Sequence, residues 1–146
     1  MEFNHMNYGY CNMSGKLFVL ANQRGYDSQS FIEKLMYSQV GEHLYHSPYT
    51  DLWIGETYIM AVFEDEAAVE QGEILSDDFM YWAGYLFKVW SLTYPEETPK
   101  EMLMQAPVGT LRQMFLGLHV LSYEQAIEDL KDLYKSECER RKEGIM

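Results

Sequence analysis

Phe79-Met80-Tyr81-Trp82-Ala83-Gly84-Tyr85-Leu86-Phe87-Lys88-Val89-Trp90-Ser91-Leu92-Thr93-Tyr94 is the stretch that decides the fold. It is apolar nearly all round, and a helix of that kind is the central, buried one of a helical protein. Ser76 with Asp77 and Asp78 supplies the N-terminal cap and the negative charge that a helix start favours. Pro95 breaks the run, so the expected helix spans Phe79 to Thr93. Gly84 in its middle costs about 1 kcal/mol relative to Ala. That cost is accepted where a second backbone packs close.

Outward from this segment the text stays helical. Thr98-Pro99-Lys100-Glu101 is a capping box with proline at the first helical position, where its missing N–H costs nothing. The helix it opens is short, because Pro107 follows Ala106. Val108 to Val120 carries Leu111, Met114, Phe115 and Leu118 at helical spacing. Ser122 with Gln125 caps a last helix bearing Tyr123, Ala126, Ile127, Leu130 and Leu133. On the N-terminal side, Thr50 to Gly72 reads as one long helix with Trp53, Ile59, Met60, Phe63 and Ala67 on its apolar face. Ser30 and Glu33 form a capping box before Phe31, Leu35, Met36, Val40 and Leu44, and Pro48 ends that helix. Leu17, Leu20 and Ala21 share a helical face ending at Gly25, with a short strand at Leu17–Leu20 as the competing reading. The expected fold is all-α: a single compact domain of about six helices, since nothing alternates at period two for long. Residues 1–15 are expected as a flexible tail, 16–138 as the helical domain and 139–146 as a frayed polar C-terminus.

The distinctive block Met80 to Trp90, the Thr98–Glu101 cap, Ala106-Pro107 and the closing Tyr123-Glu124-Gln125-Ala126-Ile127 together carry a resemblance. Over Phe31 to Leu130 the chain resembles a family of small uncharacterised Firmicute proteins encoded beside predicted ADP-ribosyltransferase-like toxins. The resemblance implies an antitoxin-like role. Lys88-Val89-Trp90 departs from the Arg-aromatic-Trp expected at that place. The resemblance assigns no functional residue.

Charge narrows the function class. Eleven Lys and Arg against 23 Asp and Glu give a net charge of −12. Such a chain repels phosphate backbones and anionic membranes, which argues against a general nucleic-acid binder or a membrane-surface protein. No apolar run reaches the roughly 18 to 20 residues that span a bilayer. Met1 to Ser14 lacks the pattern of a signal peptide. Cys11 and Cys138 form no metal or redox spacing and read as reduced thiols of a cytoplasmic protein.

Candidate catalytic groups are few. His43 and His46 have i, i+3 spacing but no further ligand within a motif's reach, and no Glu-x-x-His occurs. No phosphate-cradling glycine loop or nucleophile elbow is present. The expectation is therefore a protein that is not an enzyme and needs no cofactor or metal. A helix-turn-helix reading of Leu17 to Leu44 would need basic residues, and the second helix offers only Lys34 against Glu33 and Glu42.

Between Lys34 and Lys88 there is no Lys or Arg, and ten carboxylates fall in the gap. Twelve Tyr, seven Phe and three Trp add an aromatic load that suits contact surfaces. The acids solubilise in any case; with tyrosines interleaved, they also suit a basic protein partner. The candidate contact residues are Tyr45, Tyr49, Asp51, Glu56, Glu64, Asp65, Glu66 and Glu70. The expected function is an acidic inhibitor, of antitoxin or immunity type, that binds a basic toxin or enzyme. A phage-derived nucleic-acid mimic of the anti-CRISPR kind is the alternative, and a regulatory DNA-binding protein the second one.

Overall fold

Gly84 sits where two helices cross. A Cβ at this position would lie 2.5 Å from the Ser14 carbonyl oxygen, a backbone atom that cannot swing away. The structure, a computed structural model, describes residues 5–46 and 54–145. Among them eight helices form: α1 His5–Gln23, α2 Ser28–Tyr37, α3 Gln39–Tyr45, α4 Glu56–Glu66, α5 Asp77–Thr93, α6 Pro99–Gln105, α7 Val108–Leu118 and α8 Tyr123–Ile145. They pack as one all-α domain around one core. No strand forms among the described residues; an isolated bridge joins Tyr26 and Gln71.

The crossing of α1 and α5 is the centre of that core. Gly15 meets the Tyr81 ring as Gly84 meets Ser14, so small residues on both helices let the axes approach. Ser14 donates its hydroxyl to the Gly84 carbonyl at 2.7 Å, and Tyr45 lies 2.6 Å from the same serine oxygen. A serine has one hydroxyl hydrogen, so Tyr45 is the donor in the second bond. Phe18 of α1 meets Phe31 of α2 edge-on at 5.6 Å, and Phe31 meets Phe63 of α4 at 5.5 Å. Such edge-to-face pairs add about 0.5–1.5 kcal/mol each beyond the area they bury. Trp82 and Leu86 of α5 are buried, as the apolar run predicts.

Several boundaries differ from the sequence expectation, each for a local reason. The expected tail over 1–15 is helical from His5, because Cys11, Ser14, Phe18 and Ala21 recur at helical spacing and are buried. Leu17–Leu20 lies inside that same helix, which removes the short strand. Helix α2 is capped by Asp27, whose carboxylate accepts from the Ser30 N–H at 3.0 Å, and not by a Ser30–Glu33 box. Ser38 then divides the expected helix by capping α3, accepting from Gly41 N–H at 2.9 Å.

Of the long helix expected over 50–72, residues 50–53, with Trp53, lie outside the described residues, and the rest forms only α4. Gly55 precedes it at φ 114°, a conformation open to glycine and strained for other residues. Beyond Glu66 the chain runs extended and is tied over the start of α2. Asp27 N–H donates to the Glu70 carbonyl at 2.8 Å and Ser28 N–H to that of Glu73 at 2.9 Å. In return Glu73 N–H donates to the Asp27 carboxylate and Leu75 N–H to the Ser28 hydroxyl, both at 2.9 Å. These bonds satisfy amides that a helix start leaves open. Gly72 is needed because a Cβ there would collide with Asp27 at 2.5 Å. The cap at Ser76 and the capping box of Thr98 with Glu101 form as expected. The C-terminal residues expected to fray instead continue α8 to Ile145. Glu137 and Arg141 stand there at the i, i+4 spacing that supports exposed helices.

Candidate functional site

The carboxylates of the middle third do not form one patch. Glu64 is turned inward onto the α1 end: Arg24 donates to its Oε2 at 3.0 Å, and the Tyr26 hydroxyl donates to the same oxygen. That bond and burial both push the Tyr26 phenol above its ordinary value. Glu66 caps α3 from outside, accepting from the Gln39 N–H at 2.6 Å and the Val40 N–H at 3.1 Å. Asp65, between them, is exposed. Glu56 is half-buried in the first turn of α4, where its charge suits the helix dipole. Glu70 is exposed on the extended segment, with its carbonyl bound to Asp27.

Tyr45 is not an interface anchor. It is fully buried, and burial drives its phenol well above the ordinary tyrosine range. The reason is the apolar pattern of α3, which aims Leu44 and Tyr45 into the core behind α5. Tyr49 and Asp51 lie outside the described residues.

What the structure does assemble is a groove between α3 and α4. Its volume is about 530 Å³, and its walls are one face of each helix. Gln39, Val40, His43 and Leu44 come from α3; Tyr58, Ile59, Val62, Asp65 and Glu66 come from α4. The Glu66 bonds to Gln39 and Val40 set the end of α4 beside the start of α3, so the two helices run antiparallel. The carboxylates therefore gather at one end, and Tyr58 and His43 at the other. Tyr58 is 52% exposed and Val62 40%, which leaves the groove open to solvent. A second hollow continues from Gln39 and His43 to Glu42 and His46, which pair with each other. Val40, Tyr58 and Val62 are not among the contact residues that the sequence suggests. For Tyr58 and Val62 the signal is an apolar stripe on α4 wider than one core contact requires.

A buried polar centre lies on the inner side of α3. Lys88 is 3% exposed and donates to the Leu44 carbonyl at 2.7 Å, one of the acceptors that the end of α3 leaves open. Its ammonium also faces the rings of Tyr10 and Tyr45 at 5.9 and 6.0 Å. Burial lowers the Lys88 pKa to about 8, against a smaller opposing effect from Cys11. Burial raises the Cys11 thiol to about 12, so it is a packed thiol and not a poised nucleophile. This centre ties α1, α3 and α5 together. A parallel tie, with Glu97 accepting from Trp90 and Gln105 and pairing with Lys131, links α5, α6 and α8.

Among the described residues no group of three or more His, Cys, Asp or Glu is placed to hold a metal ion, and no helix is long and apolar enough to cross a membrane. Comparison with protein-family models, curated proteins and solved structures finds no match to this chain.

Proposed function

We propose that this chain is an acidic, non-catalytic inhibitor of antitoxin or immunity type, which acts in the cytoplasm by binding a basic toxin or enzyme. One observation carries the reading: an open apolar groove lies within a stretch that holds ten carboxylates and no Lys or Arg from residue 35 to 87. Apolar walls supply contact area, and the surrounding charge favours a cationic partner over an anionic one. The resemblance to Firmicute proteins encoded beside toxins agrees with that partner class. Both cysteines are free thiols, in keeping with a reducing compartment.

The test is co-expression with the product of the adjacent gene in a susceptible host. Growth should be restored when this chain accumulates. A neighbour that is harmless alone, or that stays toxic against an excess of this chain, would overturn the reading. With purified partner, added salt should slow association more than it speeds release, because exposed charges are screened beyond about 8 Å at physiological salt.

A further inference from the structure

We propose that the groove between α3 and α4 is the docking site, and that its occupant is one basic amphipathic helix of the partner, seated with its cationic turn at the Asp65–Glu66 end. The proposal deepens the inhibitor reading and rests on it.

Shape argues first. A trough between two antiparallel helices is the place where a third helix packs its ridge of side chains. With no strand among the described residues, there is no sheet edge to which an extended peptide could add. The walls fix the length of the occupant. Helix α3 has 7 residues and α4 has 11, or about 10 and 16 Å at 1.5 Å per residue. Two to three turns of a partner helix fit, enough for apolar anchors at i, i+4 and i+7. Val40, Tyr58 and Val62 would meet those anchors, over a floor formed by the buried Leu44 and Ile59.

Charge fixes the polarity. Asp65 and Glu66 stand at one end of the groove, and the last carbonyls of α4 add negative potential there. Glu66 spends part of its charge on the α3 amides. Asp65 is therefore the principal contact for a lysine or arginine. Among the described residues neither Lys nor Arg lines the groove or the hollow that continues it. The nearby cations are already engaged, Lys34 with the Ala68 carbonyl and Arg24 with Glu64, so an acidic helix would meet the Asp65 carboxylate directly.

The probe is a synthetic peptide of about four helical turns, with Leu along one face and Lys on the flanks. Two controls replace Lys by Glu, or Leu by Ser. Binding to the full chain is read by fluorescence anisotropy. The Leu/Lys peptide should bind and both controls should bind at least about tenfold more weakly. Val62→Asp is the decisive variant, because it adds a negative charge to the groove. Attraction by charge alone would tighten, whereas seating in the groove would weaken by about tenfold or more. Tyr58→Ala should weaken binding in the same direction and serves if Val62→Asp loses helix content. Asp65→Lys should weaken the Leu/Lys peptide and strengthen the Leu/Glu one.

Unchanged or tighter binding to Val62→Asp would overturn the proposal, as would equal binding of the Leu/Glu peptide. Self-association that Val62→Asp abolishes, without peptide binding, would give the groove to a second copy and also overturn it. If no peptide binds but the neighbouring toxin is still neutralised, the groove falls and the inhibitor reading stands. If the peptide binds in the groove and the neighbour stays toxic, the inhibitor reading falls alone.

Discussion

The α1–α5 crossing and the α3–α4 groove are both helix pairs, yet they use their side chains in opposite ways. At the crossing, Ser14, Gly15 and Gly84 bring the backbones together, and Phe18 and Phe87 beside them are fully buried. At the groove, Tyr58 and Val62 remain half in water. The polar groups differ as well. Ser14, Tyr45 and Lys88 each have a partner inside the fold, whereas Asp65 faces solvent. The lesson is that the packing that holds the fold and the proposed docking face lie on two sides of α3. Its inner face packs on α5, and its outer face is one wall of the groove.

Breaking the crossing should give the largest effect. Leu86 is fully buried on α5, so Leu86→Ala should cost about 2–5 kcal/mol of stability in urea denaturation. Gly84→Ala pushes a methyl into the Ser14 carbonyl and should cost about 1–3 kcal/mol, despite the better helix propensity of alanine. A gain in stability there would show that the two backbones separate easily.

The acid run offers a sharper contrast. Glu66→Ala removes the outside cap of α3 and should cost about 0.5–2 kcal/mol, the range for lost helix caps, with faster amide exchange at Gln39 and Val40. Asp65→Ala, one position away and exposed, should stay within about 0.5 kcal/mol. Equal effects would erase the distinction between the occupied and the presented carboxylate.

The smallest effect is the pH dependence of the buried centre. Lys88 releases its proton near 8 in the fold but at 10.5 when unfolded. The unfolded chain therefore holds more protons between those values, and stability rises with pH there. Cys11 acts in the opposite sense, holding its proton to about 12 against 9.0 unfolded. Tyr85 and Tyr123, raised by burial to about 12 from 10.0, add to that fall. Stability should climb gently above about pH 8, level off between about 9 and 10 where Lys88 and Cys11 oppose each other, and drop above about 10. Lys88→Met should shift stability at neutral pH by no more than about 1 kcal/mol and remove the climb, because losing a buried charge offsets losing its hydrogen bond.

Much of the fold was legible because caps and apolar period agree. Ser76, Thr98–Glu101 and the apolar run to Thr93 mark their helices correctly. The errors came where a distant segment decides. Nothing local to Ala67–Ser76 reveals that the amides of Asp27 and Ser28 will take its carbonyls. Likewise the polar text before Lys16 hides a helix, since Cys11 and Ser14 look unremarkable until α5 packs on them. Of the candidate contact residues, Asp65 and Glu66 reach the groove and Tyr45 does not. Composition gives the sign of the surface. It cannot tell a carboxylate bound to Arg24 from one that faces water.

Amide chemical-shift mapping of the full chain with the Leu/Lys peptide tests the central claim most directly. Shifts should concentrate at Val40, His43, Tyr58, Val62 and Asp65, and leave Ser14 and Gly84 at the crossing in place. Shifts centred instead on Glu70 and Glu73, or on the exposed Leu116 and Val120 of the α7 corner, would contradict the account.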